Sequence, residues 1–382
     1  MKKTKVIHLS IIILGIIFIL IPAFHTNIWF DESYSIAIAN KSFSEIWTIT
    51  GHDVHPALYY WMLHIINLIF GSHILIYRLF SVLSIVLLGI IGYTHIRKDF
   101  GEKTGILFSF FTYFLPIMNT YAQEIRMYSW TCLIVTMMAI YGYRFYKNVK
   151  QKEEKNKLTN LCLFGLFSIC SCYIHYYALV TAGLINLILL IYLIKNRKEN
   201  KKDLRNFLIL AAIQIVLYIP WMIFFVVQLK QVGSGYWIQL SLIGTTVDVL
   251  SFQFKNQVDS NFMNDVKALA ALIVSIAVYI YLIIKAYKLK KNGESLKPVA
   301  LSTGIYIGVI LIILLVSMIS PILYARYLLV MTGLYIFTLS FIISKEKNKI
   351  IAGIIISITL ILAILGNIQN VKENYNKENS EV

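Results

Sequence analysis

His55-Pro56-Ala57-Leu58-Tyr59-Tyr60-Trp61-Met62-Leu63-His64-Ile65-Ile66-Asn67-Leu68-Ile69-Phe70 is the stretch on which the architecture turns. Its apolar run, 56–70, is 15 residues long, short of the roughly 20 needed to cross a bilayer. It carries His64 and Asn67 and follows a His-Pro step. Polar side chains in so short a run disfavour a lipid-exposed crossing. The run therefore reads as a re-entrant or interfacial helix that leaves by the face it entered.

Outward from this run, long apolar segments alternate with short Lys-rich ones. The 382 residues are 58% hydrophobic and 14% charged, with a mean hydropathy of +0.71. That composition excludes an ordinary soluble domain and points to a polytopic helical membrane protein, all-α in class. The net charge of +16 would suggest nucleic acid in a soluble chain, but here it collects in short loops, as the positive-inside bias requires. No nucleic-acid partner is expected; the bilayer is. The four cysteines, Cys132, Cys162, Cys170 and Cys172, lie inside apolar runs and read as small hydrophobes. The basic start followed by run 6–24 imitates a signal peptide, but its length and the lack of an A-x-A site make it an uncleaved first span.

Most of the 35 basic residues fall at 2–5, 97–103, 144–157, 195–205, 285–297 and 345–349. If these are cytoplasmic, an even number of crossings separates each neighbouring pair. Three apolar runs lie between the first two clusters, at 6–24, 56–70 and 74–95, so the middle one must not cross. The remaining spans follow at about 105–120, 128–146, two within 158–194, 207–227, 267–286, 299–319, 327–344 and 350–366. The expectation is about 11 transmembrane helices with interfacial helices in the first outer loop, N-terminus cytoplasmic. They form one domain, 1–368, with outer loops at 25–73, 121–127 and 228–266 and a short polar tail at 369–382. In the longest loop, the segment from Gly233 to Trp237 reads as a hinge and 247–254 as an amphipathic helix on the membrane.

Five residues after the first span stands Trp29-Phe30-Asp31-Glu32-Ser33-Tyr34. An acidic pair here reads either as a helix cap, Asp31 opening a short helix, or as catalytic carboxylate. The topology puts further polar groups on the same face: His52, Asp53, His55, Glu124, Arg126, Tyr128, His175, Tyr176, Arg326 and Tyr327. Polar residues converging at one membrane rim make a site hypothesis. Arg126 and Arg326 suit a phosphate headgroup arriving from the lipid, although each also answers to snorkelling. Asp31 suits a general base for an acceptor hydroxyl, with Glu32 orienting it or holding a metal. His52-x-x-His55 reads first as hydrogen-bonding or substrate-contacting histidine. Asp31, Asp53 and His55 would be the ligands if a divalent cation were held, and metal dependence stays open. His175-Tyr176-Tyr177 reads chiefly as aromatic belt, its histidine alone arguing for the site.

Three stretches resemble the GT-C glycosyltransferases of family 39, related to protein O-mannosyltransferases and the aminoarabinose transferases (RgtA/B/C/D-like). They are Trp29-Phe30-Asp31-Glu32, His52-Asp53-Val54-His55-Pro56-Ala57-Leu58-Tyr59-Tyr60 and Tyr121-Ala122-Gln123-Glu124-Ile125-Arg126-Met127-Tyr128, with weaker echoes at His175-Tyr176-Tyr177 and Arg326-Tyr327. The resemblance implies the GT-C fold and an inverting transferase. Such an enzyme takes a sugar from a polyprenyl-phosphate donor at the outer face and passes it to a lipid, glycan or protein acceptor. On it, Asp31 would be the base with Glu32 beside it. Arg126 would bind donor phosphate, with Arg326 a second candidate from its own place at the rim, and His55, with Tyr59 among the residues at substrate, would lie near the sugar. Ala57 replaces the family's usual second proline, and no large outer domain is expected within these residues. A lipid-linked-sugar transporter would want polar breaks at mid-membrane in both halves of a repeat, which the chain lacks. A polysaccharide polymerase or ligase would want Arg and His in the long outer loop, and 228–266 has neither.

Overall fold

A computed structural model describes residues 2–234, 238, 241–256 and 266–376. Every regular element among the described residues is helical. Nine of these helices are long and apolar enough to cross a membrane: Lys3–Ala23, Ile74–Phe100, Lys157–Ile174, Tyr176–Lys195, Lys201–Gly233, Val266–Lys291, Lys297–Ser317, Ala325–Ser344 and Lys349–Tyr375. The chain is a multi-pass membrane protein.

We number the helices α1 (Lys2–Leu20), α2 (Phe30–Ala39), α3 (Phe43–Gly51), α4 (Leu58–Phe70), α5 (Ile74–Phe100), α6 (Glu102–Phe114), α7 (Pro116–Ala122) and α8 (Tyr128–Gln151). There follow α9 (Lys157–Ile174), α10 (Tyr176–Lys195), α11 (Lys201–Ser234), α12 (Leu242–Ser251), α13 (Val266–Lys291), α14 (Lys297–Ser317), α15 (Thr332–Ser344) and α16 (Lys349–Asn376).

Nine differs from the expected eleven by one consecutive pair, 105–120 and 128–146. The first is broken at Leu115, which is extended (φ −68°, ψ 127°) because the following Pro116 excludes it from the helical region. The second, α8, has the length, 24 residues, but carries Ser129, Thr131, Thr136, Arg144, Lys147 and Asn148. It tolerates them by lying inside the bundle, against α9, α5 and α10.

Alternate helix ends gather at two poles. At one, the basic segments meet through Lys152–Glu199 (3.1 Å), Lys157–Asp203 (3.0 Å), Lys285–Glu346 (2.9 Å) and Lys345–Glu294 (3.0 Å). At the other, Asp31 faces Arg126 and Arg326, and Gln228 Nε2 donates to Thr50 O at 2.7 Å. Near the basic pole, α5 and α6 touch backbone to backbone: a Cβ on Gly105 would stand 2.5 Å from Gly92 O, so only glycine permits this crossing.

Helix α4 keeps both ends at the second pole. Its 13 residues span about 20 Å, too little for a 30 Å hydrocarbon layer. Tyr60 near its start meets Arg126, while farther along His64 Nδ1 and Asn67 meet Ala39 O. Arg78, one turn into α5, is back beside Glu32. With α2 and α3 it forms a layer capping the bundle.

One loop expectation changes. The helix α12 does not simply lie on the surface: it leads into a 3₁₀ turn, Phe252–Phe254, whose residues are buried. Gln253 Nε2 donates there to Tyr306 Oη (3.0 Å) and Thr332 Oγ1 (3.3 Å), partners that draw the turn inward. The proposed hinge falls partly outside the described residues, since α11 runs to Ser234 and Gly235–Trp237 are not described. The tail from 369 is helical to Asn376, where Tyr375 Oη donates to Ile21 O (2.8 Å) and Asn27 Nδ2 to Asn374 O (2.6 Å).

Candidate active site

Helix α2 begins after an extended Trp29 (φ −106°, ψ 173°). The cap differs from the one the sequence suggests. Glu32, three residues in, turns its carboxylate back to the Trp29 N–H (3.3 Å), which is the reciprocal half of a capping box. Asp31 sits within the first turn and leaves its side chain 31% exposed, facing the site.

Glu32 is otherwise consumed by Arg78. The guanidinium meets both carboxylate oxygens, Nη1–Oε1 at 2.9 Å and Nη2–Oε2 at 3.0 Å, the bidentate fork that arginine makes best. Arg78 also donates to Gln123 O (3.1 Å) and Asn27 O, and Glu32 Oε1 accepts the Ile125 N–H at 2.9 Å. One buried pair thus ties the loop before α2, the start of α5 and the turn 123–127.

That turn places Arg126 beneath α2. Nη1 donates to Asp31 O (3.2 Å), Ser35 Oγ (3.2 Å) and Tyr60 Oη (3.5 Å), and Nε stands 3.9 Å from Asp31 Oδ2. The same Oδ2 accepts from Arg326 Nη1 at 3.3 Å. Arg326 lies over the Trp29 ring at 4.7 Å and that of Tyr324 at 5.4 Å, a cation–π seat that holds it at the rim. Glu124 completes the charged group. Its Oε2 is buried and unpaired among the described residues, though the residue keeps some exposure. Burial pushes its carboxyl up to about 8, against the pull of Arg326.

Beside these charges lies a wall of rings. Asp53 Oδ2 is 3.8 Å from His55 Nδ1. Burial works to raise the Asp53 pKa, but His55, the Val54 N–H and the Tyr34 hydroxyl outweigh it and hold the carboxyl below its ordinary value. Burial lowers His55, and Asp53 offsets part of that. His175 Nδ1 accepts the Tyr177 N–H (3.1 Å), which leaves the proton on Nε2. Burial, with His55 and Arg126 adding, keeps this imidazole well below its usual pKa and so neutral. Nε2 finds no partner among the described residues. The His175 ring lies 5.8 Å from His55, 5.8 Å from Tyr128 and 5.1 Å from Tyr327.

Asp31, Glu124, Arg126, Arg326, Asp53, His55, His175, Tyr128 and Tyr327 therefore come together. Others from the sequence do not. His52 faces outward, its Nδ1 at 2.8 Å from Thr48 O and its ring 5.7 Å from Phe224. Tyr176 is a brace to α11, where its hydroxyl meets Gln228 and accepts from Trp221 Nε1 (3.1 Å). Tyr60 reaches Arg126, whereas Tyr59 is buried edge-on against Tyr60 at 5.7 Å. The residues suggested for a cation do not fit one: Asp31 is shared by two guanidiniums, and no group of three His, Cys, Asp or Glu among the described residues is placed to hold a metal. Arg78, Ser35 and Tyr60 are additions. A cation within the apolar run 74–91 is the only sequence signal for Arg78, and it calls equally for a buried partner or for snorkelling to the interface.

No curated protein and no solved structure matches the chain. One family model does, that of dolichyl-phosphate-mannose-protein mannosyltransferase, over residues 54–224. The matched stretch is less than half the chain; it includes His55, Glu124, Arg126, Tyr128 and His175 and stops short of Asp31, Glu32 and Arg326 on either side. Joined to the polytopic helical fold, that match supports a membrane glycosyltransferase of the GT-C type.

Proposed function

We propose that the protein is an inverting glycosyltransferase that moves a sugar from a polyprenyl-phosphate donor to an acceptor hydroxyl on a lipid, glycan or protein at the extracytoplasmic face. One observation carries this reading: a single carboxylate oxygen, Asp31 Oδ2, lies between the guanidiniums of Arg126 and Arg326 at one membrane rim. Two arginines converging on one oxyanion make a ready phosphate seat, and Asp31 fills it when no phosphate is there.

Donor phosphate entering the seat draws both guanidiniums to itself and releases the Asp31 oxygens. The acceptor hydroxyl then approaches the anomeric carbon from the face opposite the phosphate. Asp31 takes the hydroxyl proton as the new C–O bond forms, and the bond from the anomeric carbon to the phosphate oxygen breaks. The leaving lipid phosphate keeps the electron pair, and its negative charge falls on Arg126 and Arg326 in a water-poor interface where such stabilisation is strong. His175 Nε2–H and the Tyr128 and Tyr327 rings bound the space for the sugar, with His55 beside them. Glu32, held by Arg78, positions Asp31 rather than reacting.

Asp31→Asn tests the assignment. It keeps the shape of the side chain but cannot take a proton, so sugar transfer from a polyprenyl-phosphate sugar falls about 10²- to 10⁴-fold while membrane insertion is unchanged. Undiminished turnover in that variant removes Asp31 from the role of base.

A further inference from the structure

At the pole away from Asp31, the helices α5, α6, α8, α10, α14 and α15 line a cavity of about 240 Å³. Its walls are apolar, among them Phe108, Ile140, Ile185, Ile305 and Phe337. A hollow lined in this way stays unwetted and takes apolar guests. Its mouth is polar. Lys297, in the first turn of α14, lies there with Nζ 4.6 Å from the Tyr146 ring, exposed, and no carboxylate among the described residues pairs with it. Asp99 shares the rim, but Arg144 Nε holds it at 2.7 Å. The basic segments that gather at this pole add further positive charge around the opening.

We propose that this cavity holds one hydrocarbon chain of an anionic membrane phospholipid, whose phosphate rests on Lys297. The apolar walls suit the chain, and an ammonium that no carboxylate among the described residues neutralises suits the headgroup. The sugar donor does not fit this place. Its phosphate belongs with Arg126 and Arg326 at the other pole, and even the innermost lining residue of α8, Thr136, is eight residues from Tyr128, about 12 Å along the helix. The bound chain wedges α8, α10 and α14 at a fixed spacing and so acts on the fold, not on the reaction. The inference does not depend on the transferase reading, because its test measures bound lipid.

The test uses the full chain purified from membranes in mild detergent, with retained lipid identified by native mass spectrometry. A second readout is thermal unfolding in micelles carrying phosphatidylglycerol or phosphatidylcholine. The wild type is expected to keep one anionic phospholipid per chain and to unfold several degrees higher with phosphatidylglycerol. Lys297→Gln loses about fivefold in preference for the anionic lipid, the worth of one lysine at a charged membrane surface. Ala139→Leu, which fills the cavity from α8, lowers retention of either lipid severalfold. Leu301→Phe does the same from α14 and serves if the first variant fails to fold. Equal retention of both lipids by the wild type, an unchanged preference in Lys297→Gln or full retention in the filled variants each overturns the proposal. Recovery of a polyprenyl phosphate in place of the phospholipid overturns it too.

Discussion

Glu32 meets one guanidinium, that of Arg78, through both its oxygens at 2.9 and 3.0 Å, while its neighbour Asp31 meets two, from Arg126 and Arg326, through one oxygen at 3.9 and 3.3 Å. The Glu32–Arg78 pair is 3% and 2% exposed, so removing either partner strands a charge without water. Asp31 is 31% exposed, and its long contacts, weakened by solvent, contribute little to stability. Adjacent carboxylates thus divide the work: one is saturated and fixes the geometry, the other stays available for exchange of partners. A site that must release an oxyanion to admit another needs both kinds.

The largest effect is expected on the saturated side. Arg78→Ala or Glu32→Gln lowers stability by about 3–5 kcal/mol, read as the unfolding midpoint in detergent. The double variant Glu32→Leu with Arg78→Met is less damaged than either single one, since no lone charge remains. A double variant as unstable as the sum of the two breaks the comparison.

On the exchangeable side, Arg126→Ala lowers kcat/KM for the polyprenyl-phosphate donor about 10- to 100-fold, as for loss of hydrogen bonds to a charged group. KM for the acceptor moves much less, and equal loss for both substrates would make Arg126 structural. The effect of Glu124 is smaller. Its folded carboxyl titrates at about 8 against an ordinary 4.5, so between these values the folded chain holds a proton the unfolded chain has released. Stability from this group is full below about pH 4.5 and is lost as pH rises through about 8. Glu124→Gln flattens that slope by about 1–2 kcal/mol, allowing for the residue's partial exposure. Unfolding midpoints across the pH range check it. Smallest of all, His52→Ala changes stability by no more than about 0.5 kcal/mol and leaves transfer intact, because this histidine faces away from both carboxylates. A His52→Ala enzyme that loses donor turnover would redraw the site.

Part of the site was legible from type and spacing alone. Glu124-x-Arg126 and Asp53-x-His55 lie in short polar turns between apolar runs, where side chains have little choice but the rim. Arg78 was not, since a cation near the start of an apolar helix looks the same whether it snorkels or pairs inward. Tyr59 and Tyr60 differ by about 100° of helix phase, and only the packing of α4 on α2 selects Tyr60 for Arg126.

By itself the sequence determined that this chain spans a membrane many times as helices, and that the apolar run 56–70 is shorter than a crossing needs. Hydrocarbon admits no unpaired backbone, and 15 residues cannot reach across it. Only the tertiary structure decided which helix stands at the centre. Ala325–Ser344 has 94% of its apolar stretch buried and Lys201–Gly233 has 11%, although the second is the more apolar. Lipid and protein interior are equally oily, so hydrophobicity cannot sort helices between them. That choice falls to close packing and to paired polar groups such as Glu32 with Arg78.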